Sequence, residues 1–373
     1  MSASPCVSVV MPVFNGERYL EEAVRSILDQ TFSDFEFIII DDGSTDRTRA
    51  ILKSYTDGRI KVVDQRHRGI IASLNQGLAI ARGQYVARMD SDDIAMPDRL
   101  DKQVAFLRAN PEIGILGTAC QLIDAHGRVL ALRQWPLDDL GIHWASLLSS
   151  PFGHPTVMLY REILIKNGLK YTEAFQMVED YDLWARALNY TRGRNLREPL
   201  LQYRVHDDHI TSKFREVQLR NHDLVALCAI REQLPDFAIT SEQVSQLREM
   251  FVGGSEPSRD LQARRAALAR TYLDLLNAFV NHHPGEPGLE ALQCEEALKV
   301  ARLVFRWPLQ PGSVRIGRRL MAMYPGLPWS FSGHLWSAVY RRLRPRALNS
   351  APLQGGCGQS GDHQNNHVVQ QRL

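Results

Sequence analysis

Three aspartates fall within four positions, Asp90, Asp92 and Asp93, in the stretch YVARMDSDDIAMPDRL that spans residues 85–100. Crowded carboxylates repel and raise one another's pKa unless positive charge compensates them. A solvated turn accounts for any one such cluster, because Asp and Ser are ordinary turn residues. Two other acidic or polar motifs, PVFNGE at 12–17 and DDGSTD at 41–46, sit in the same kind of place, directly after an apolar run. Open α/β sheets bind ligands outside the carboxyl ends of their strands. Carboxylate oxygens select hard divalent ions, Mg2+ or Mn2+, which keep coordination positions open for phosphate oxygens. The three motifs together therefore predict a metal–diphosphate site. No GxGxxG turn and no Walker lysine loop is present, so neither a dinucleotide fold of the usual kind nor a P-loop is expected.

The elements that must position these residues alternate. Residues 7–14, 35–43, 59–65 and 83–90 read as strands, and the helical period recurs over 17–30, 69–82 and after Pro97-Asp98. This rhythm predicts an α/β fold with a mostly parallel central sheet flanked by helices. Strands are further expected at 154–161 and 196–205, with a short helix over 178–188 between them. From about 214 to 306 the pattern is helical, broken at 252–259 and 281–288, and the Gly/Gln/Asn-rich residues 350–373 read as a disordered tail.

Composition is that of a globular protein, 44% hydrophobic and 23% charged over 373 residues. No apolar run reaches the ~20 residues that span a bilayer, and the N-terminus lacks a basic signal-peptide region. Five scattered cysteines without a CxxC pair favour reduced thiols, hence a cytoplasmic protein. The net charge of +2 hides an asymmetry. Residues 300–350 hold nine arginines and no Lys, Asp or Glu, which leaves residues 1–299 at about −7. Within that segment WSFSGHLWSAVYRRLRPR, 329–346, interleaves aromatics and arginine in a way suited to an anionic membrane surface; a helix packed on its own domain is the alternative. No nucleic-acid motif accompanies the charge, so nucleic acid is not expected as a partner.

Four segments in order, VSVVMPVFNGERYLEEAVRSILDQTFSDFEFIIIDDGSTDRT, GQYVARMDSDDIAMPDRLDKQV, VEDYDLWARAL and LLQYRVHDDHIT, resemble the family 2 glycosyltransferases of GT-A fold. The resemblance covers roughly residues 7–212. It implies a GT-A domain over 1–212, with a nucleotide-sugar-binding half at 7–108 and an acceptor half at 109–212, followed by a helical C-terminal region at 213–349. Carried over by position, Pro12, Phe14 and Asn15 would lie along the base and ribose of the donor, and Asp42 would accept a hydrogen bond from the base edge. Asp90 and Asp92 match the DXD signature. Asp90 would face ribose or metal, with Ser91 beside the donor, and Asp92 would hold the divalent ion, with Asp93 behind. Asp180 matches the catalytic base, Glu179 being its competitor. In QYRVHDDH, Arg204 would bind phosphate oxygens and His206 would touch metal or phosphate; a solvated loop is the alternative. His154 would line the acceptor side or serve the core.

The chemistry agrees with those roles. One carboxylate takes the proton of the acceptor hydroxyl, and positive charge stabilises the departing diphosphate. QYRVH lacks the tryptophan of the QxxRW motif of processive relatives, which points to addition of a single residue. The expected activity is inverting transfer from a nucleotide sugar, a UDP-sugar being favoured, to a lipid-linked or surface-glycan acceptor, with Mg2+ or Mn2+. Location would be cytoplasmic or peripheral on the inner membrane face. A non-catalytic nucleotide-sugar-binding module is the main alternative. A nucleotidyltransferase ranks lower, since PVFNGERYL lacks a Gly-rich basic loop.

Overall fold

The computed structural model describes residues 4–206, 215–252, 258–305, 315–317 and 319–320. The basic segment 329–346 and the tail 350–373 lie outside the described residues. The chain divides into two compact units, one of Met1–Arg248 with Asn281–Gly288 and one of Glu249–Val280 with Leu289–Leu373. The sequence places a boundary at 212, within residues that are not described; the helix that follows, Arg215–Gln233, groups with the first unit.

The first unit is built on a nine-stranded sheet of β1 (Val7–Val13), β2 (Phe35–Asp41), β3 (Ile60–Asp64), β4 (Tyr85–Arg88), β5 (Ile94–Ala95), β6 (Ile113–Ile123), β7 (Val129–Arg133), β8 (Met158–Tyr160) and β9 (Arg192–Arg204). Their spatial order is β3-β2-β1-β4-β8-β6-β9-β5, and β7 pairs with β6. The β3-β2-β1-β4 half is parallel throughout, as the alternating rhythm requires. Beyond it the pairing is mixed: β8 runs antiparallel between β4 and β6, whereas β6 and β9 are parallel.

Burial on both faces explains the unbroken apolar strands. Val7, Val9, Met11 and Val13 share one core with Leu20, Ala23, Val24 and Ile27 of α1 (Leu20–Leu28) and Leu100, Val104 and Leu107 of α4 (Arg99–Ala109). Val10 joins the opposite core with Ile38, Ile40, and Ile71 and Leu74 of α3 (Ile70–Ile80). Strand side chains alternate faces, so one strand serves both cores. Each aliphatic side chain removed from water there contributes roughly 1.5–3 kcal/mol. Between α1 and α3 lies the short α2 (Thr48–Ser54); α5 (Asp139–Ser146), α6 (Arg161–Lys166) and α7 (Glu179–Ala187) follow in the second half of the unit.

Two departures from the sequence reading have local causes. The strand expected over 154–161 is reduced to Met158–Tyr160, because Pro155 opens a turn of 3-10 helix at His154–Thr156. The long strand β6 is not among the expected elements; Gly114, Gly117 and Thr118 interrupt its apolar run and hide it from a periodicity test. The expected helical stretch is present as α8 (Arg215–Gln233), α9 (Ser241–Phe251), α10 (Arg259–His282) and α11 (Leu289–Phe305). In the second unit Tyr272 donates to Glu296 at 2.6 Å and stacks on Phe251 at 3.9 Å, joining three of these helices. Among the described residues no helix is long and apolar enough to cross a membrane, and all four cysteines are free thiols.

Candidate active site

The parallel strands β1, β2 and β4 end side by side, and their following loops meet. The loop after β1 is sewn to the loop after β2. Asn15 N–H donates to Ser44 Oγ at 2.9 Å, Thr45 N–H to Asn15 Oδ1 at 2.8 Å and Gly16 N–H to Thr48 Oγ1 at 2.9 Å. Glu17 N–H donates to Asp46, and Arg47 N–H returns a bond to Glu17. Asn15 adopts a left-handed φ of 51°, a conformation that Asn tolerates better than most residues. Pro12 is buried in β1 just beneath, and Phe14 projects from the loop at 45% exposure.

Asp42 fixes the next loop. Its carboxylate accepts from Gln65 Nε2 at 2.5 Å, from Arg68 N–H and from Gly69 N–H at 2.8 Å each, and lies 2.9 Å from His67 Nδ1. A carboxylate offers about four lone-pair sites; protein donors occupy three of Asp42's and His67 lies beside it, so the carboxylate expected to meet a base edge is largely engaged in holding this loop. Gly43 permits the approach: φ is +80°, and a Cβ there would lie 2.8 Å from His67 N. The loop is thereby held so that the His67 ring stacks on Phe14 at 4.1 Å, an open aromatic pair at the mouth of the site.

The acids after β4 are served differently. Asp90, Asp92 and Asp93 bring carboxylate oxygens within 4.8 Å of one another, and Ser91 sits among them beside Gly16. Asp90 pairs with Arg88, Asp92 Oδ2 lies 3.0 Å from His206 Nε2, and Asp93 accepts Arg204 N–H at 2.9 Å. Asp93 Oδ2 is buried without a hydrogen-bond partner. Burial, then the charges of Asp90 and Asp92, push the Asp93 pKa well above the usual carboxylate range. A crowded oxygen donor set with an orphaned oxygen fits a hard divalent cation. Asp90, Asp92 and Asp93 thus lie together, and His206 meets Asp92.

Arg204 is not turned toward the open site. It is 2% exposed, and its guanidinium donates to Asp92 O at 2.8 Å and Glu22 at 2.5 Å and lies over the Tyr19 ring at 4.4 Å. It braces the acidic loop from below, because burial of a guanidinium requires that its donors be satisfied by protein.

Asp180 stands in the first turn of α7, half-buried. Loss of water raises its pKa; Tyr181 N–H and then Arg88 oppose the rise, and Asp90 adds to it. Glu179 beside it is 7% exposed, its Oε2 has no hydrogen-bond partner, and burial followed by the charge of Asp180 lifts its pKa to about 7. His154 meets Tyr171 OH at 2.9 Å and packs by Trp184; burial and Arg88 hold it well below the usual histidine pKa, hence neutral.

Sequence reasoning misses Arg88, a buried cation within the field of Asp90, Asp93, Glu179, Asp180 and His154. Its signal is present: an arginine in an otherwise apolar strand, two residues before Asp90 and so on the same face. A cleft of about 900 Å³ opens elsewhere, at the starts of β6 and β9, the sheet end away from these acids. Its charges pair among themselves, Arg192 and His143 both with Asp139.

An open α/β sheet with loops and acids gathered at one edge of strand ends defines a class, and comparison with known proteins supplies the family. Residues 8–163 match the model of Glycosyl transferase family 2. The O-antigen biosynthesis glycosyltransferase WbnJ of Escherichia coli is 35% identical over 207 residues, 54% of this chain and 80% of that protein. The amylovoran biosynthesis glycosyltransferase AmsE of Erwinia amylovora is 29% identical over 55% of this chain and 79% of its own length. A crystal structure of S. aureus TarS in complex with UDP-GlcNAc shares the fold at a TM-score of 0.51 and 20% identity, over 86% of this chain and 91% of that one. The chain belongs to glycosyl transferase family 2; it is a glycosyltransferase with the GT-A fold.

Proposed function

We propose that this enzyme moves one sugar from a nucleotide-diphosphate sugar to a glycan or lipid-linked acceptor, inverting the anomeric carbon. One observation carries the reading: Asp180, distant in sequence, lies in the field of Asp90 of the acid cluster and of Arg88, which pairs with it. That supports a reading in which a proton acceptor and a hard-cation donor set serve one site.

Asp180 takes the proton of the acceptor hydroxyl as its oxygen attacks the anomeric carbon, and the bonding pair of the old C–O bond departs with the diphosphate. The first turn of α7 favours the ionised base through its N–H groups. Asp90 and Asp92 would hold Mg2+ or Mn2+ with help from His206, and the bound ion supplies the positive charge that a leaving diphosphate needs. Phe14 and His67 offer a flat surface for the base, with Pro12, Asn15 and Ser91 along the rest of the nucleotide. A uridine diphosphate sugar is the first donor to test, since TarS holds UDP and UDP-GlcNAc. The relatives named for O-antigen and amylovoran biosynthesis support a polysaccharide acceptor. The arginines and aromatics of 329–346 would bring the chain to an anionic membrane surface, which co-sedimentation with anionic and neutral vesicles tests directly.

The deciding experiment is melting temperature with a panel of nucleoside diphosphates and their sugars, each with Mn2+ and with EDTA. A ligand that binds only the native state raises it by linkage. A rise for one nucleotide that needs Mn2+ supports the reading, and no rise with any of them sinks it.

A further inference from the structure

One buried cation beside the acid cluster is incompletely satisfied. Arg88 is 4% exposed, in the last position of β4. Its main chain is fixed on both sides: its N–H donates to Val157 O at 3.0 Å, and its carbonyl accepts Arg99 Nη2 at 2.8 Å. Its side chain is less completely held. One guanidinium nitrogen pairs with Asp90, while the buried Nε–H has no hydrogen-bond partner. Within its field lies the mirror deficit, the buried Glu179 Oε2, also without a partner. A buried donor and a buried acceptor, each unsatisfied and each costly to leave so, favour any rearrangement that joins them.

We infer that Arg88 is a positioning residue shared between the two halves of the site, pairing with Asp90 while the acid cluster lacks a cation and turning to Glu179 and Asp180 when a divalent ion takes Asp90. The inference rests on the metal and base roles proposed above. Its logic is electrostatic. A divalent charge on Asp90 repels the guanidinium and replaces it as counter-ion; the unsatisfied Asp93 oxygen lies in the same cluster beside that ion, whereas the unsatisfied Glu179 oxygen belongs to the residue beside the base. Among the described residues, the charged and titratable groups in the field of the Glu179 carboxyl are Asp180 on its own helix, Arg88 from β4 and Tyr171 from the preceding segment. Arg88 is the cation among them. Its turn would tighten Glu179 and Asp180 in their productive place only when the donor side is loaded.

The test uses the full-length protein and two readouts. Mn2+ binding is measured by electron paramagnetic resonance of the free ion, without donor or acceptor, and transfer is measured at saturating Mn2+. Arg88→Gln is expected to bind Mn2+ about tenfold more tightly, because a competing cation has gone, while kcat falls about a hundredfold. Arg88→Lys, which keeps the charge, is expected to stay within tenfold of wild type in both. Glu179→Gln in the Arg88→Gln background is expected to add no further loss of kcat. Weaker Mn2+ binding that falls in step with kcat in Arg88→Gln would overturn the inference, since that is the signature of a merely structural arginine. An unchanged kcat would overturn it too. If Arg88→Gln does not fold, Glu179→Gln decides: kcat reduced with Mn2+ binding unchanged supports the shared cation, and unchanged kcat overturns it. Wild-type protein that binds no Mn2+ would remove the functional reading, and this inference with it.

Discussion

Two neighbouring strand ends handle their carboxylates in opposite ways. At the end of β2, Asp41 accepts Ser44 N–H at 2.9 Å and Arg49 Nε at 3.0 Å, and Asp42 is filled by the 65–69 loop. At the end of β4, Asp93 keeps a buried oxygen without a partner, and across the site Glu179 does the same. The first pair is satisfied by its own chain and so builds the site. The second group is left short of donors and so has capacity for something not part of the protein. Native proteins leave few buried polar atoms unpaired, and clusters of exceptions concentrate where function needs them.

Four substitutions test this division, from the largest effect to the smallest. Asp180→Asn should cut transfer by at least a hundredfold with nucleotide binding kept, measured by turnover and by calorimetry; general-base loss is worth about 10²–10⁴. An Asn variant that turns over normally would move the base elsewhere, Glu179 first.

Asp42→Ala should instead act on the fold. It leaves the Arg68 and Gly69 N–H groups without their acceptor, at a cost of about 3 kcal/mol read from urea unfolding. A loss under about 1 kcal/mol would mean that the loop is held by something other than its aspartate.

Glu179→Gln should stabilise the protein, and only above acid pH. Its folded-state pKa of about 7 exceeds the ordinary 4.5, so the native carboxyl holds its proton where the unfolded one has lost it. The stability this confers is complete below 4.5 and disappears as pH rises to about 7. Glutamine escapes that loss. The difference between variant and wild type should therefore grow by about 3 kcal/mol across that window and stay level beyond it. A flat difference across the window would show that the carboxyl is ionised normally in the native state.

The smallest effect should come from Arg49→Gln. Its side chain is 49% exposed, and Asp41 keeps the Ser44 N–H. Solvent screening limits the change to under about 1 kcal/mol. A larger loss would place the arginine among the builders of the site.

Much of this architecture is legible in the order of residues alone. Val-rich runs, amphipathic helices and the acids between them depend on local periodicity, and β1, α1, β2, β3, α3, β4 and α4 follow it, while the short α2 and β5 do not show in the pattern. The motifs PVFNGE, DDGSTD and DSDD stand out because loops that carry chemistry announce themselves in polar residue types at strand ends. Which lone pairs are already spent is not written there. That Asp42 is filled by residues 65–69, that Arg204 reaches back to Glu22, and that Arg88 sits within the field of both Asp90 and Asp180 depend on contacts between segments far apart in the chain. Residue type declares that a carboxylate can accept protons or cations. Only the tertiary structure decides whether a neighbour has satisfied it first, because hydrogen bonds and burial are properties of proximity and not of order along the chain.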